Sequence, residues 1–145
     1  MRKLPHLAAS ALLALAALSA HAADGDDLIK YRQNVMNANG GLMGASNALI
    51  QKKVAFKGQL EADAKALETL TRDIPALFPK GSGGADSDAL PEVWSKRAEF
   101  EKRAKDTEVK AAAFAKAVAG KDAKVAEKFK DLSDACKSCH KDFRK

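Results

Sequence analysis

The stretch VAEKFKDLSDACKSCHKDF, residues 125–143, decides how the chain is read. Val125, Phe129, Leu132, Cys136, Cys139 and Phe143 follow one another at spacings of four and three. Residues three and four apart share one face of an α-helix. These six therefore form a single apolar seam, of the kind that packs into a bundle of helices. Counting a polar entry, the spacing predicts a helix from about 122 to 143.

Upstream residues keep the 3.6 period, and β-branched runs with strand alternation are absent. Asp24 to Asp27 suit the positive end of a helix dipole and start a first helix that runs to about Ala48 or Lys52. Leu28, Val35, Leu42 and Leu49 form one stripe on it, and Ile29, Met36, Met43 and Ile50 an adjacent one. Gly40, Gly41 and Gly44 weaken this helix by about 1 kcal/mol each relative to Ala. Close approach of a flat ligand or a neighbouring helix would explain them; a local kink is the other explanation. A second helix is expected from about Gln59 to Asp73, ended by Pro75 and Pro79. Lys80 to Leu90 is loop, rich in Gly, Ser and Asp. A third helix is expected from Pro91 to Ala119, with Gly120 as its cap. The expected fold class is all-α, an antiparallel four-helix bundle.

Cys136-Lys137-Ser138-Cys139-His140 carries the chemistry. Cys-x-x-Cys-His is the signature of c-type haem attachment. Two cysteines three apart lie on one side of a helix turn, so both thiols can add to the vinyl groups on one edge of a porphyrin. The histidine that follows is then placed under the ring, within reach of the iron. A structural zinc site needs four closed ligands, and this run offers three. A thioredoxin-like pair would accompany a βαβ pattern, which is absent. The reading is therefore one covalently attached haem c, with His140 as the proximal iron ligand.

The N-terminus reads as a signal peptide over residues 1–22: Arg2 and Lys3, an apolar run from Leu4 to Leu18, then Ala20-His21-Ala22 for cleavage. The apolar run is shorter than the roughly 20 residues that span a bilayer, so no membrane span is expected. The mature domain, 23–145, would then keep two cysteines, one histidine and two methionines. Losing Arg2 and Lys3 from 25 basic residues leaves 23 against 19 acids, a net charge of about +4. That excess fits solubility or docking to an acidic redox partner, and no nucleic-acid partner is expected. With no second histidine, the thioether of Met36 or Met43 is the available sixth ligand. Met36 is the first choice, because it lies one turn after Arg32, whose guanidinium could neutralise a haem propionate. Lining the pocket without bonding is the alternative role for Met36. No nucleophile–base pair is present, so no enzyme chemistry is expected.

The chain resembles the class II c-type cytochromes, the group that holds the cytochromes c-prime and their low-spin, methionine-ligated relatives. Cys136 to His140 at the C-terminal end carries the resemblance, followed by Lys141-Asp142-Phe143-Arg144. Tyr31-Arg32-Gln33 is similar to the group's first helix, and Pro91-Glu92-Val93-Trp94 to its entry into the third. The resemblance implies Arg32 near a propionate, Arg144 near the proximal face and Met36 at the distal position. It also implies a homodimer through the first two helices as one possible assembly. Two functions follow. The first is a periplasmic one-electron carrier with His140 and Met36 as axial ligands, serving redox partner proteins. The alternative is a five-coordinate haem protein that binds or scavenges nitric oxide or carbon monoxide, with Met36 above the open face. A helical binding module without haem is the third and weakest reading.

Overall fold

The computed structural model describes residues 25–145. The signal peptide expected over residues 1–22 lies outside them. Four long helices make the bundle: α1 (Gly25–Ile50), α2 (Gln59–Thr71), α4 (Arg97–Ala119) and α5 (Val125–Phe143). A single turn, α3 (Glu92–Ser95), precedes α4, and a 3₁₀ turn (Ile74–Leu77) follows α2.

Two boundaries differ from those expected. The second helix stops at Thr71, because Pro75 cannot continue an α-helical ladder and the chain tightens into the 3₁₀ turn. The third helix is broken at Lys96 (φ −113°, ψ 44°). The break is tied down from outside. Arg97 donates to the carbonyls of Phe78 (2.8 Å) and Pro75 (3.0 Å), and Trp94 Nε1 donates to the Pro79 carbonyl (2.8 Å). Val93 and Phe100 remain on one face across it and are both buried, so the apolar period passes through the break unmarked.

The core is divided in two. At one end Ile74, Phe78, Val93, Phe100, Ala104 and Phe143 pack together, with edge-to-face contacts of 5.1 Å between Phe78 and Phe100 and 5.3 Å between Phe100 and Phe143. At the other end Ala64, Leu67, Ala111, Phe114 and Leu132 pack, flanked by Ile50, Leu60, Val118, Val125 and Phe129. α4 packs on both α2 and α5, and α1 packs on α2, but α1 and α5 barely meet. The two clusters and this loose α1–α5 seam frame the site.

Helix ends also depart from expectation. Gly120 is the C-cap residue, as expected, but it is helical (φ −79°, ψ −2°), and the left-handed residue is Lys121 (φ 51°). Lys121 N–H bonds Val118 O (3.0 Å) and Asp122 N–H bonds Ala117 O (2.9 Å), which is a Schellman closure. α1 ends the same way: Lys52 has φ 56°, with Lys52 N–H to Leu49 O (3.0 Å) and Lys53 N–H to Ala48 O (2.9 Å). A side chain in this conformation costs about 1 kcal/mol that glycine does not incur. Lys52→Gly is therefore expected to raise stability by about 0.5–1 kcal/mol, against glycine's larger loss of chain entropy on folding. The check is the midpoint of guanidinium unfolding at an unchanged slope.

Candidate functional site

A cavity of about 770 Å³ opens between α1 and α5. Its size suits an organic cofactor. Cys136, Cys139 and His140 line it from α5, and Met36 and Met43 from α1. Leu67 and Phe100 reach it from α2 and α4. The expected site residues thus converge on one space, Arg32 and Arg144 included.

The motif helix is fixed from both sides. Behind it, Arg103 on α4 donates to Ser138 Oγ (2.6 Å), one of the two residues between the cysteines, and pairs with Asp142 (3.2 Å) and Glu99 (2.9 Å). Beyond it, the last residues pair with the loop before α3. Leu90 N–H donates to Phe143 O (3.0 Å), and Lys145 N–H to Asp88 O (2.9 Å). These contacts set which face of α5 meets the cavity, and they carried no signal in the sequence.

Burial sets the chemistry of the three motif side chains. It raises the Cys136 thiol, and it pushes Cys139 up to about 11, with the neighbouring Cys136 adding to the effect. Neither is the activated thiolate that disulfide exchange requires, which counts against a dithiol redox pair. Burial, then the charge of Arg144, holds the His140 imidazole below its usual range. It stands neutral at pH 7, the form that ligates a metal. His140 is the single histidine among the described residues.

Arg32 is the least ordinary group at the site. It is only 2% exposed. Its Nη1 donates to Ser82 Oγ (3.0 Å) and its Nη2 to Ser87 Oγ (2.6 Å), and its guanidinium lies 4.9 Å from the Phe78 ring centroid. Burial lowers its pKa from the ordinary value. Among the described residues no carboxylate pairs with it. An uncompensated buried charge costs several kcal/mol, so an anionic group in the cavity beside it would complete the site. The cavity, the two thiols on one helix face and this buried cation without a carboxylate partner fit a porphyrin with propionates. The serines of the loop were not expected as site residues; nothing in the loop's composition singled them out.

Two of the three explanations for the α1 glycines fall away. A Cβ built on Gly40, Gly41 or Gly44 would meet nothing within 4 Å, so neither a neighbouring helix nor another part of the chain requires them, and α1 runs through them unbroken. Gly40 lines the cavity, so close approach of a flat ligand is the explanation that stands for it.

Comparison with known proteins agrees with this arrangement. The family model described as Cytochrome C′ matches residues 27–144. Cytochrome c′ of Rhodospirillum rubrum is 32% identical over 137 residues, covering 90% of this chain and 93% of that protein. Cytochrome c-554 of Cereibacter sphaeroides is 33% identical over 151 residues, covering 99% and 98%. Among solved structures, the nitric oxide complex of a single-residue variant of cytochrome c prime from Alcaligenes xylosoxidans superposes with a TM-score of 0.78 at 28% identity, covering 85% of this chain and 97% of that one.

The role of Arg103 can be measured. Arg103→Ala removes a charge-assisted bond to Ser138 and two half-exposed ion pairs, and should cost about 1–2 kcal/mol of unfolding free energy. Lys105→Ala, which breaks only the exposed pair with Glu108, should cost less than about 0.5 kcal/mol by the same denaturant titration.

Proposed function

The chain belongs to the cytochrome c′ family, and from that membership we propose that it is an exported monohaem protein whose iron keeps one face open to nitric oxide or carbon monoxide. Family members carry one covalent haem c, and Cys136 and Cys139 meet the motif for it. Cys136 and Cys139 would hold the ring by thioether bonds, and His140 would bind the iron from the α5 side. The haem supplies an iron that changes oxidation state and accepts small neutral ligands.

Every other contribution belongs to the chain. Arg103 and the pairing of residues 88–90 with 143–145 aim His140 at the cavity. The apolar cluster of Phe78, Phe100 and Phe143 keeps water from its closed end. Arg32, which lines the cavity, would pair with a propionate. Met36, from α1, caps the distal space as an apolar side chain that admits a diatomic molecule. What carries this reading is the match of residues 27–144 to the Cytochrome C′ family model, together with a cavity to which α1 presents Met36 and Met43 but no histidine or cysteine. The sequence alone put electron carriage first. Similarity to cytochromes c′, one of them solved with nitric oxide bound, supports the gas-binding reading more strongly.

Electron carriage stays as the second reading, because Met36 and His140 line the same cavity from different helices. In that reading the Met36 sulfur bonds the iron, and a thioether ligand raises the potential. Export to the periplasm rests on the Ala20-His21-Ala22 cleavage site. Among the described residues no helix is long and apolar enough to cross a membrane.

Two measurements test the proposal. The purified protein should give a high-spin absorption spectrum that changes on adding nitric oxide, and Met36→Ala should leave the resting spectrum in place while speeding ligand entry. A low-spin spectrum with a sulfur–iron charge-transfer band, converted to high spin by Met36→Ala, would establish the carrier instead. Separately, the Cys136→Ser/Cys139→Ser double variant should lose the covalent haem mass from acid-extracted protein, with either single variant retaining it through one thioether.

A further inference from the structure

The end of the bundle away from the Cys-x-x-Cys-His motif carries a second surface, with no part in the haem chemistry. The chain turns twice there, at residues 51–58 between α1 and α2 and at 120–124 between α4 and α5. The far cluster, with Ile50, Leu60, Val118 and Val125 at its edge, brings the two turns to the same end. The first turn reads Lys52-Lys53-Val54-Ala55-Phe56-Lys57 and is exposed throughout. Phe56 is 67% exposed and Val54 42%. Lys121 and Lys124 stand exposed on the second turn.

None of these five lysines forms an ion pair among the described residues. The carboxylates at this end are Glu61, Asp122 and Glu127. Glu127 is taken by Lys128 (2.9 Å), and Asp122 accepts the backbone N–H of Lys124 (2.8 Å). The end therefore presents a phenylalanine and a valine, both out in water, together with five unpaired lysines on the two turns, against which only Glu61 and Asp122 stand as carboxylates without a cation partner. Residues 51–57 line neither the haem cavity nor the shallow groove between α2 and α4, and Phe56 and Val54 stand exposed on the turn.

We infer that this end docks on an anionic phospholipid surface. Phe56 and Val54 enter the boundary between headgroups and acyl chains, and Lys52, Lys53, Lys57, Lys121 and Lys124 meet lipid phosphates. A pair of exposed apolar side chains is too small for a protein interface of ordinary size, which covers about 800 Å² on each partner. It suits a soft surface, where aromatic insertion and basic residues add together. α5 begins at this end, and Cys136 lies eleven residues further on, about 16 Å along the helix. Docking this way leaves the haem cavity clear of the membrane and open to partners and gases.

The test uses the haem-loaded protein and vesicles, read by co-sedimentation. Vesicles with roughly 30% phosphatidylglycerol in phosphatidylcholine should bind it at low salt, and vesicles of phosphatidylcholine alone should not. Raising salt from roughly 50 to 200 mM should weaken binding strongly. Phe56→Ser should weaken it about tenfold, and Lys53→Glu/Lys57→Glu at least as much, while each variant keeps the parent's absorption spectrum. No binding to the anionic vesicles overturns the inference. So does binding that needs the lysines but is indifferent to Phe56→Ser, which would mark a flat electrostatic contact of the kind an acidic protein face makes. The haem spectrum reports separately on the gas-binding reading, so the two stand or fall apart.

Discussion

Everything in this fold turns on one seam being left open. Three of the four neighbouring helix pairs in the bundle close on each other, and α1 and α5 do not. The consequence is visible on α1, where Val35, Met36, Leu42, Met43, Leu49 and Ile50 are only half-buried although they form the helix's apolar face. Apolar surface left against water forgoes about 25 cal/mol per Å². A flat, largely apolar ligand in the gap recovers that energy and joins the two apolar clusters into one core. A haem attached through Cys136 and Cys139 would thus be part of the packing, held to α5 by covalent bonds.

Arg32 is the polar counterpart of the open seam. A cation so deeply buried, satisfied only by two serine hydroxyls and aromatic rings, is stable when an anion shares its pocket. It also acts structurally. The loop over residues 79–90 folds onto it through Ser82 and Ser87, and Gln33 anchors the same loop by donating to Asp86 O (2.8 Å). Because the loop also pairs with residues 143–145, the group that would meet a propionate and the strand that fixes the end of the His140 helix belong to one connected element. A ligand held by Arg32 would therefore be linked to the order of this loop.

The helices and the motif were legible in the sequence because both are local. Spacings of three and four report a face whatever the partner, and Cys-x-x-Cys-His sits within two turns of one helix. What escaped is tertiary. The break at Lys96 keeps Val93 and Phe100 in phase, so periodicity passes over it. The helix stops at Lys52 and Lys121 use left-handed lysines, where a reading by residue type looks for glycine and settles on Gly120. Arg103 and the two serines matter only through distant partners, and no spacing encodes a contact across 35 or 50 residues.

The antiparallel topology then sorts the chemistry by end. α5 carries the motif in its last turns, and α1 carries Arg32 and Met36 in its first half, so opposite chain directions bring these residues level. The same geometry sends the C-terminal end of α1 and the N-terminal end of α5 to the far side, together with both tight turns. Turns at that end are free of the packing demands that shape the cavity, and they hold unpaired lysines and an exposed phenylalanine without disturbing the core. A bundle with its open seam near one end and its solvent-facing turns at the other keeps the surface at the turns physically separate from the cavity.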